Sequence, residues 1–352
     1  MNYHIASSKR LDLPKQAQEA VEGKRPRHAT WLLSQQLGAT IHEPDRTKIT
    51  LSDRLRSQVF SSRPDHWSMA RRLAVQLDTQ HLVFCRDETI GIPIASLCGR
   101  KRNPPKIAVF IHNIDRPRAK LSLRFAQYAR HINLWITNSA YMSEFTRTYF
   151  GVPEDRILRM SDLTDTAFFT PGPTSNHKTR PVVASVGLEK RDYQTLAQAT
   201  KNLDVDVRIA GFSANTKAQR RTFPDVMPKN MSNHFYEARD LVQLYRDADV
   251  VAVSLFDSGM CAGITTLMEA LACCRPVVVT RSRGLDTYLQ SPGIAKVIEP
   301  GDAAAMRAVI QDLLDNPAAA QAMAERGHKW ALEMFNTERW VRELAETLLR
   351  MR

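Results

Sequence analysis

From Val182 to Thr280 the sequence alternates, almost without interruption, between short apolar runs and stretches in which apolar residues recur every three or four positions. VVASV from Val182, DVRIA from Asp206, VVAVSL from Val250 and PVVVT from Pro276 are strand-sized. The segments between them, Tyr193 to Lys201, Ala238 to Ala248 and Ile264 to Cys273, carry helical spacing. Few folds accommodate this pattern. Buried strands joined by helical crossovers form a parallel sheet with helices on both faces, and ligands of such sheets bind at the carboxyl ends of the strands.

The N-terminal half repeats the theme. A helix is predicted over His28 to Gln36, ended by Gly38, followed by a short strand over Ala39 to His42. HLVFC from His81 and KIAVFIHN from Lys106 read as buried strands. SMARRLAVQL from Ser68, RAKLSLRFAQYARHI from Arg118 and SAYMSEFTRTYFG from Ser139 read as helices. Between the halves lies FFTPGPTSNHKTRP, Phe168 to Pro181, rich in Pro, Ser, Thr and Asn. A length of 352 residues fits two α/β domains, and the composition shift places them at 1–172 and 173–335, with a closing helical segment at 336–352. No fixed-period repeat suggests a solenoid.

Composition narrows the classes further. With 43% hydrophobic and 24% charged residues the chain can build ordered cores. No apolar run approaches the roughly 20 residues of a membrane span, and no secretory core opens the chain, so the cytosol is the expected compartment. Five cysteines, Cys85, Cys98, Cys261, Cys273 and Cys274, form no Cys-x-x-Cys pair and are expected to be reduced. Charge is uneven: residues 1–170 hold 26 Lys+Arg against 16 Asp+Glu, and the remainder holds 23 against 21. GRKRNPPK from Gly99 and RPRAKLSLR from Arg116 concentrate it. An anionic lipid surface, a phosphorylated substrate, nucleic acid or a merely solvated basic face would each suit such clusters. They lack the interleaved aromatics of a nucleic-acid site.

The segment Asp247 to Asp286 carries the most chemistry. After the strand, Ser258, Gly259 and Gly263 permit close backbone approach, and Ile264, Thr265 and Thr266 open a helix whose free amides form an anion site suited to a diphosphate. Glu269 follows one turn on, where a carboxylate can accept ribose hydroxyls. In the first half, His112 and Asn113 end a buried strand, and Arg86, Asp87 and Glu88 end the preceding one; Asp87 is equally suited to capping the next helix. There is no Gly-x-Ser-x-Gly elbow, no P-loop and no Gly-x-Gly-x-x-Gly fingerprint. Asp204-Val205-Asp206 precedes its strand and does not recommend itself as a metal site. Cys273-Cys274 reads as core packing.

Taken whole, DADVVAVSLFDSGMCAGITTLMEALACCRPVVVTRSRGLD resembles the donor-binding signature of the GT-B glycosyltransferases, in particular the retaining nucleotide-sugar enzymes of family four. The resemblance implies a GT-B architecture: two Rossmann-like domains whose parallel sheets face each other across a cleft, with acceptor bound by the first and donor by the second. Glu269 matches the second of the family's two glutamates, which contacts the donor ribose. Cys261 stands where the first should be, among the residues Gly259, Met260, Cys261 and Ala262 that would face the donor sugar. The stretch from Trp135 to Gly172 looks like the family's interdomain passage, and SVGLEKRDYQTLAQA from Ser185 like its phosphate-binding strand and helix. There Arg191 falls where relatives carry lysine, Leu188 occupies the usual arginine position, and Lys190 is the candidate second cation beside Gly187. The closing segment NTERWVRELAETLLRMR resembles the family's helix that returns to the first domain. One expected element is missing: relatives open with a strand and a glycine-rich turn, whereas the first 25 residues here contain only Gly23, next to a basic KRPRH stretch from Lys24.

The activity so implied is hexosyl transfer from a nucleoside diphosphate sugar, with UDP-sugars favoured, to an acceptor with retention of configuration. His112, Lys190 and Arg191 would be catalytic, the departing diphosphate would take the acceptor's proton, and domain closure would exclude water. Gly187, Lys190, Arg191, Gly263 to Thr266 and Glu269 would bind the nucleotide; Arg86, Asp87, Glu88 and Asn113 would bind an acceptor that is a carbohydrate, a glycolipid or a small molecule. No metal and no cofactor beyond the nucleotide sugar is expected. The basic first half would suit peripheral contact at the inner face of the membrane. The alternatives are a transferase-like scaffold that binds nucleotide or an anionic polymer without turnover, and a GT-B epimerase or phosphorylase.

Overall fold

The computed structural model describes residues 1–60, 62–115, 128–213 and 218–351, and the chain divides into two compact units. The first comprises residues 1–18, 28–161 and 340–352; the second comprises 19–27 and 162–339.

The first unit is built on six parallel strands, β1 (Asn2–Ala6), β2 (Thr40–His42), β3 (His81–Cys85), β4 (Lys106–Ile111), β5 (Leu134–Thr137) and β6 (Ile157–Arg159), in the order β2-β1-β3-β4-β5-β6. Side chains alternate between its two faces. Val83, Cys85, Ile107 and Val109 join Met69 and Leu73 in one core, while Leu82, Phe84, Ala108 and Phe110 join Ile5 in the other. That second core is completed by Val341, Leu344 and Leu348 from the last helix of the chain, Thr337–Arg350. Helices α1 (Leu13–Val21), α2 (Ala29–Leu37), α3 (Leu51–Val59), α4 (Pro64–Gln76), α5 (Glu88–Leu97) and α6 (Ala140–Phe150) connect the strands. Local signals set their ends. His28 caps α2 by accepting from the Thr30 amide at 3.2 Å, and Gly38 ends it in the left-handed conformation at φ 61°. The helix predicted from Arg118 lies for the most part outside the described residues, as does the basic cluster from Arg116; Tyr128–His131 form a 3₁₀ turn.

The opening strand that the sequence was expected to lack is present. β1 pairs with β2 on one side and β3 on the other, at the inner position of the sheet. NYHIA hides this role because His4 stays partly accessible while Tyr3, Ile5 and Ala6 are buried. The turn after β1 contains no glycine; Asp12 takes the positive φ of 47° instead.

The second unit contains β7 (Val182–Val186), β8 (Asp206–Ala210), β9 (Met231–Asn233), β10 (Val250–Val253), β11 (Val277–Thr280) and β12 (Lys296–Ile298), all parallel, in the order β12-β11-β10-β7-β8-β9. Numbered from β7, this is the 3-2-1-4-5-6 order of a dinucleotide-binding sheet, whose direction of winding reverses between β7 and β10. Its helices are α7 (Tyr193–Thr200), α8 (Ala238–Asp247), α9 (Ile264–Ala272), α10 (Ala303–Asp315) and α11 (Pro317–Met334); the closing helix already described, α12, belongs from Trp340 onward to the first unit. The edge strands β9 and β12, three residues each, escaped prediction because MSN and KVI are too short and too polar to show a period.

The division between units falls at Ser161 and Asp162 rather than at 172 and 173. The Pro-rich stretch marks a change of composition, but the residues before it already pack with the second unit. The Asp162 amide donates to the Tyr288 hydroxyl at 2.9 Å, Thr164 bridges to Asn336, and Phe169 lies in one core with Tyr245. Residues 19–27 belong there too. The cations of the KRPRH stretch are occupied in ion pairs: Lys24 with Glu22, Arg25 with Glu19, and Arg27 with Asp165 and Glu338.

Candidate functional site

The reversal point of the second sheet brings together the segments that follow β7 and β10. After β7 the chain turns at Gly187, φ 96°, where an added Cβ would stand 2.6 Å from the Arg191 guanidinium. Arg191 is only 3% exposed. Its Nε donates to the Val186 carbonyl at 2.8 Å, its Nη1 to the Glu189 carbonyl at 3.2 Å and its Nη2 to the Thr266 hydroxyl at 2.8 Å. Thr266 in turn donates to the Val186 carbonyl at 2.9 Å. Arg191 therefore ties the end of β7 to the start of α9, and burial presses its pKa below the ordinary value. This differs from the sequence expectation of a cation open to phosphate. The open cation is Lys190: it holds a left-handed φ of 56°, its carbonyl accepts the Phe256 amide at 2.9 Å, and its ammonium makes no hydrogen bond or ion pair among the described residues. Leu188, in the place of an expected arginine, is buried.

After β10 the loop Ser258–Gly263 leads into α9. Gly263 sits at φ 87°, where a Cβ would meet Val253 Cγ1 at 2.7 Å, so both conformation and space require glycine. No side chain caps the helix. The Ile264 amide bonds the Cys261 carbonyl at 3.2 Å, leaving those of Thr265 and Thr266 without an acceptor among the described residues. Thr265 is exposed, so this end of α9 is accessible. Gly259, Met260, Cys261 and Ala262 lie along the loop, and the Cys261 thiol donates to the Gly284 carbonyl at 3.0 Å. That bond ties the loop to the turn after β11. Glu269 is 8% exposed, and its Oε2 accepts from the Tyr245 hydroxyl at 2.7 Å. Burial pushes its carboxyl up to about 7, against the lowering effect of that bond. Oε1 makes no hydrogen bond among the described residues. Tyr245 was invisible as a site residue, because the α8 pattern presents it as one more apolar position.

In the first unit the winding reverses between β1 and β3, and the predicted residues gather at their carboxyl ends and that of β4. Asp87 caps α5, accepting from the Thr89 amide at 2.9 Å, the Ile90 amide at 3.3 Å and the hydroxyls of Thr89 and Ser8. Burial alone would raise its carboxyl, but the Ser8 and Thr89 bonds hold it below its usual range. Glu88 is buried and accepts the His112 amide at 3.0 Å. Both carboxylates, expected to meet an acceptor, are thus occupied in shaping the strand ends. His112 stacks on Phe110 with ring centroids 4.6 Å apart, and its Nε2 donates to the Arg86 carbonyl at 3.2 Å, which leaves Nδ1 as the acceptor nitrogen. The Arg86 guanidinium makes no hydrogen bond among the described residues; Asn113 is 8% exposed. A depression of about 550 Å³ beside this edge, lined by Trp31, Arg10, Asp12, Gln35 and Glu43, had no sequence signal, since its residues come from three separate segments.

Two sheets of this construction define the GT-B fold. Sucrose-phosphate synthase from Thermosynechococcus elongatus matches with a TM-score of 0.72 at 14% identity, covering 100% of this chain and 99% of that one. Anabaena HepE in complex with UDP-glucose matches at 0.69 and 16%, covering 99% and 100%. Residues 182–316, all within the second unit, match the family model of the Glycosyl transferases group 1. A GDP-mannose-dependent alpha-(1-6)-phosphatidylinositol monomannoside mannosyltransferase of Mycolicibacterium smegmatis is 25% identical over 59% of this chain; the match spans 61% of that relative's length.

Proposed function

We propose that the protein is a retaining, metal-independent glycosyltransferase that takes its sugar from a nucleoside diphosphate donor, with UDP as the favoured nucleotide. The observation that carries this reading is the accessible, uncapped start of α9 beside an unpaired Lys190, with Glu269 one turn on, all at the reversal point of a dinucleotide-type sheet. In this reading the Thr265 and Thr266 amides and the Lys190 ammonium hold the diphosphate, and Oε1 of Glu269 accepts the ribose hydroxyls. Arg191 positions rather than binds: it keeps the β7 turn against α9. As the C1–O bond to the diphosphate breaks, the acceptor oxygen bonds C1 on the same face and its proton passes to the departing diphosphate. Positive charge and amides stabilise the negative charge that develops there. His112 would contact sugar or acceptor through Nδ1, and the unpaired Arg86 suits an acceptor that carries an anionic group. HepE was seen with UDP-glucose, while the mannosyltransferase is named for GDP-mannose, so both bases belong in the test.

That test is a thermal-shift titration with UDP, GDP and ADP, each with and without chelator. The reading expects a saturable, chelator-insensitive shift with UDP, lost in Lys190→Ala. A shift with GDP alone changes the donor; no shift from any of the three, in folded protein, leaves the non-catalytic scaffold in its place. Anomer analysis of the first product by NMR then decides between retention and inversion.

A further inference from the structure

Helix α3 is turned inside out. A surface helix ordinarily buries its apolar stripe and exposes its charges. The aliphatic residues of α3 are Leu51, Leu55 and Val59; four residues apart, they share one side, and they are 73%, 56% and 70% exposed. The buried residue of this helix is Asp53, at 0%. Its Oδ2 accepts from Arg71 Nη2 at 3.1 Å and from the Thr50 amide at 2.9 Å, closing a capping box. Val75, one turn beyond Arg71 on α4, is 85% exposed as well.

Basic charges predominate around the stripe; the partly accessible carboxylate of Asp45 lies 3.9 Å from Lys48 Nζ. Asp53 and Asp65 are buried, the latter paired with Arg63 and lying 3.7 Å from Arg46 Nε. Arg46, Lys48, Arg54 and Arg63 remain accessible. Arg56 lies over the Trp67 ring at 5.8 Å. Three aliphatic side chains are too small a centre for an ordinary protein interface, which buries about 800 Å² per partner. A symmetric contact between two copies would set this basic rim against itself. A flat, uniformly anionic surface with an apolar interior meets both features at once.

We propose that α3 seats the protein on an anionic bilayer: Leu51, Leu55 and Val59 enter the boundary between headgroups and acyl chains, and the flanking Arg46, Lys48, Arg54 and Arg63 face lipid phosphates. The contact is peripheral, since no helix among the described residues is long and apolar enough to cross a membrane. It does not depend on the donor reading.

The test is flotation of the full chain with vesicles of phosphatidylcholine alone and of phosphatidylcholine mixed with phosphatidylglycerol. The expected result is flotation with the mixed vesicles only, weakened by salt. The triple variant Leu51→Ser, Leu55→Ser, Val59→Ser should lower the bound fraction at least about tenfold. Its thermal midpoint should match the wild type, because these side chains are exposed. Arg46→Glu with Arg54→Glu should abolish the preference for anionic lipid. Absence of flotation, equal flotation on neutral vesicles, or a triple variant that binds like wild type overturns the proposal. So does light scattering that shows a dimer which the triple variant dissolves, since the face would then join two copies.

Discussion

Neighbouring residues of one motif divide their tasks by burial. Lys190 and Arg191 stand next to each other, yet the first is open and the second enclosed, so their substitutions should fail differently. Lys190→Ala should leave stability within about 0.5 kcal/mol and weaken nucleotide binding. Arg191→Ala removes three hydrogen bonds, to the Val186 and Glu189 carbonyls and the Thr266 hydroxyl, together with a buried side chain, and should cost about 3 kcal/mol in denaturant unfolding. Equal losses of stability in both would contradict this division. Glu269 gives a pH signature. Its folded pKa, near 7, is above the ordinary 4.5. It therefore favours the folded state below the lower value, and that contribution fades as pH rises through 7. Between pH 5 and 8 the wild type should lose on the order of 3 kcal/mol that Glu269→Gln keeps; parallel stability profiles would show that this carboxyl does not titrate. Sequence alone located these positions but not their states. Residue type and spacing place Arg191 and Cys261 in the loops, whereas the direction of a guanidinium or a thiol depends on carbonyls at Val186 and Gly284 that pattern cannot see.

Elements with a strong period and a local stop were legible almost to the residue. The α2 and α6 helices end at Gly38 and Gly151 as expected, and β8 runs from Asp206 to Ala210 as read. Elements whose identity depends on partners were not. β1 became a strand because β2 and β3 flank it, and β9 and β12 because the sheet has edges to fill. Asp87, which the sequence left between acceptor contact and cap, caps α5 through the Thr89 and Ile90 amides. Asp87→Ala should lower the thermal midpoint by an amount equivalent to about 1 kcal/mol, while Asp87→Asn should restore most of it. A variant that binds acceptor less well with no loss of stability would return Asp87 to the ligand side. At the start of α9, Gly263→Ala must adopt φ 87° and press against Val253, at a cost of about 1–3 kcal/mol. Its nucleotide-induced thermal shift should fall as well, since the amides would be displaced.

For the whole molecule, the α/β class and the presence of two domains were readable from alternation and length. The point of division was not, because a Pro-rich stretch reports composition and Asp162–Phe169 are fixed by packing instead. The first unit is assembled from three separate pieces of chain, and its second core lacks one wall without residues 340–352. Removing those residues should expose Ile5, Phe84 and Phe110, and limited proteolysis should then degrade the first unit before the second. A truncated chain with unchanged protection of residues 28–161 would contradict this.

The placement of Val341, Leu344 and Leu348 also has a meaning in time. On the ribosome, residues 28–161 emerge long before the helix that closes their core, and the whole of 162–339 is translated in between. The unit made first is thus the one finished last. Its half-walled sheet must wait through more than 170 further residues, at about 5–20 residues per second, with an apolar face uncovered. Nascent-chain arrest before Trp340 should find that face in the hands of a chaperone.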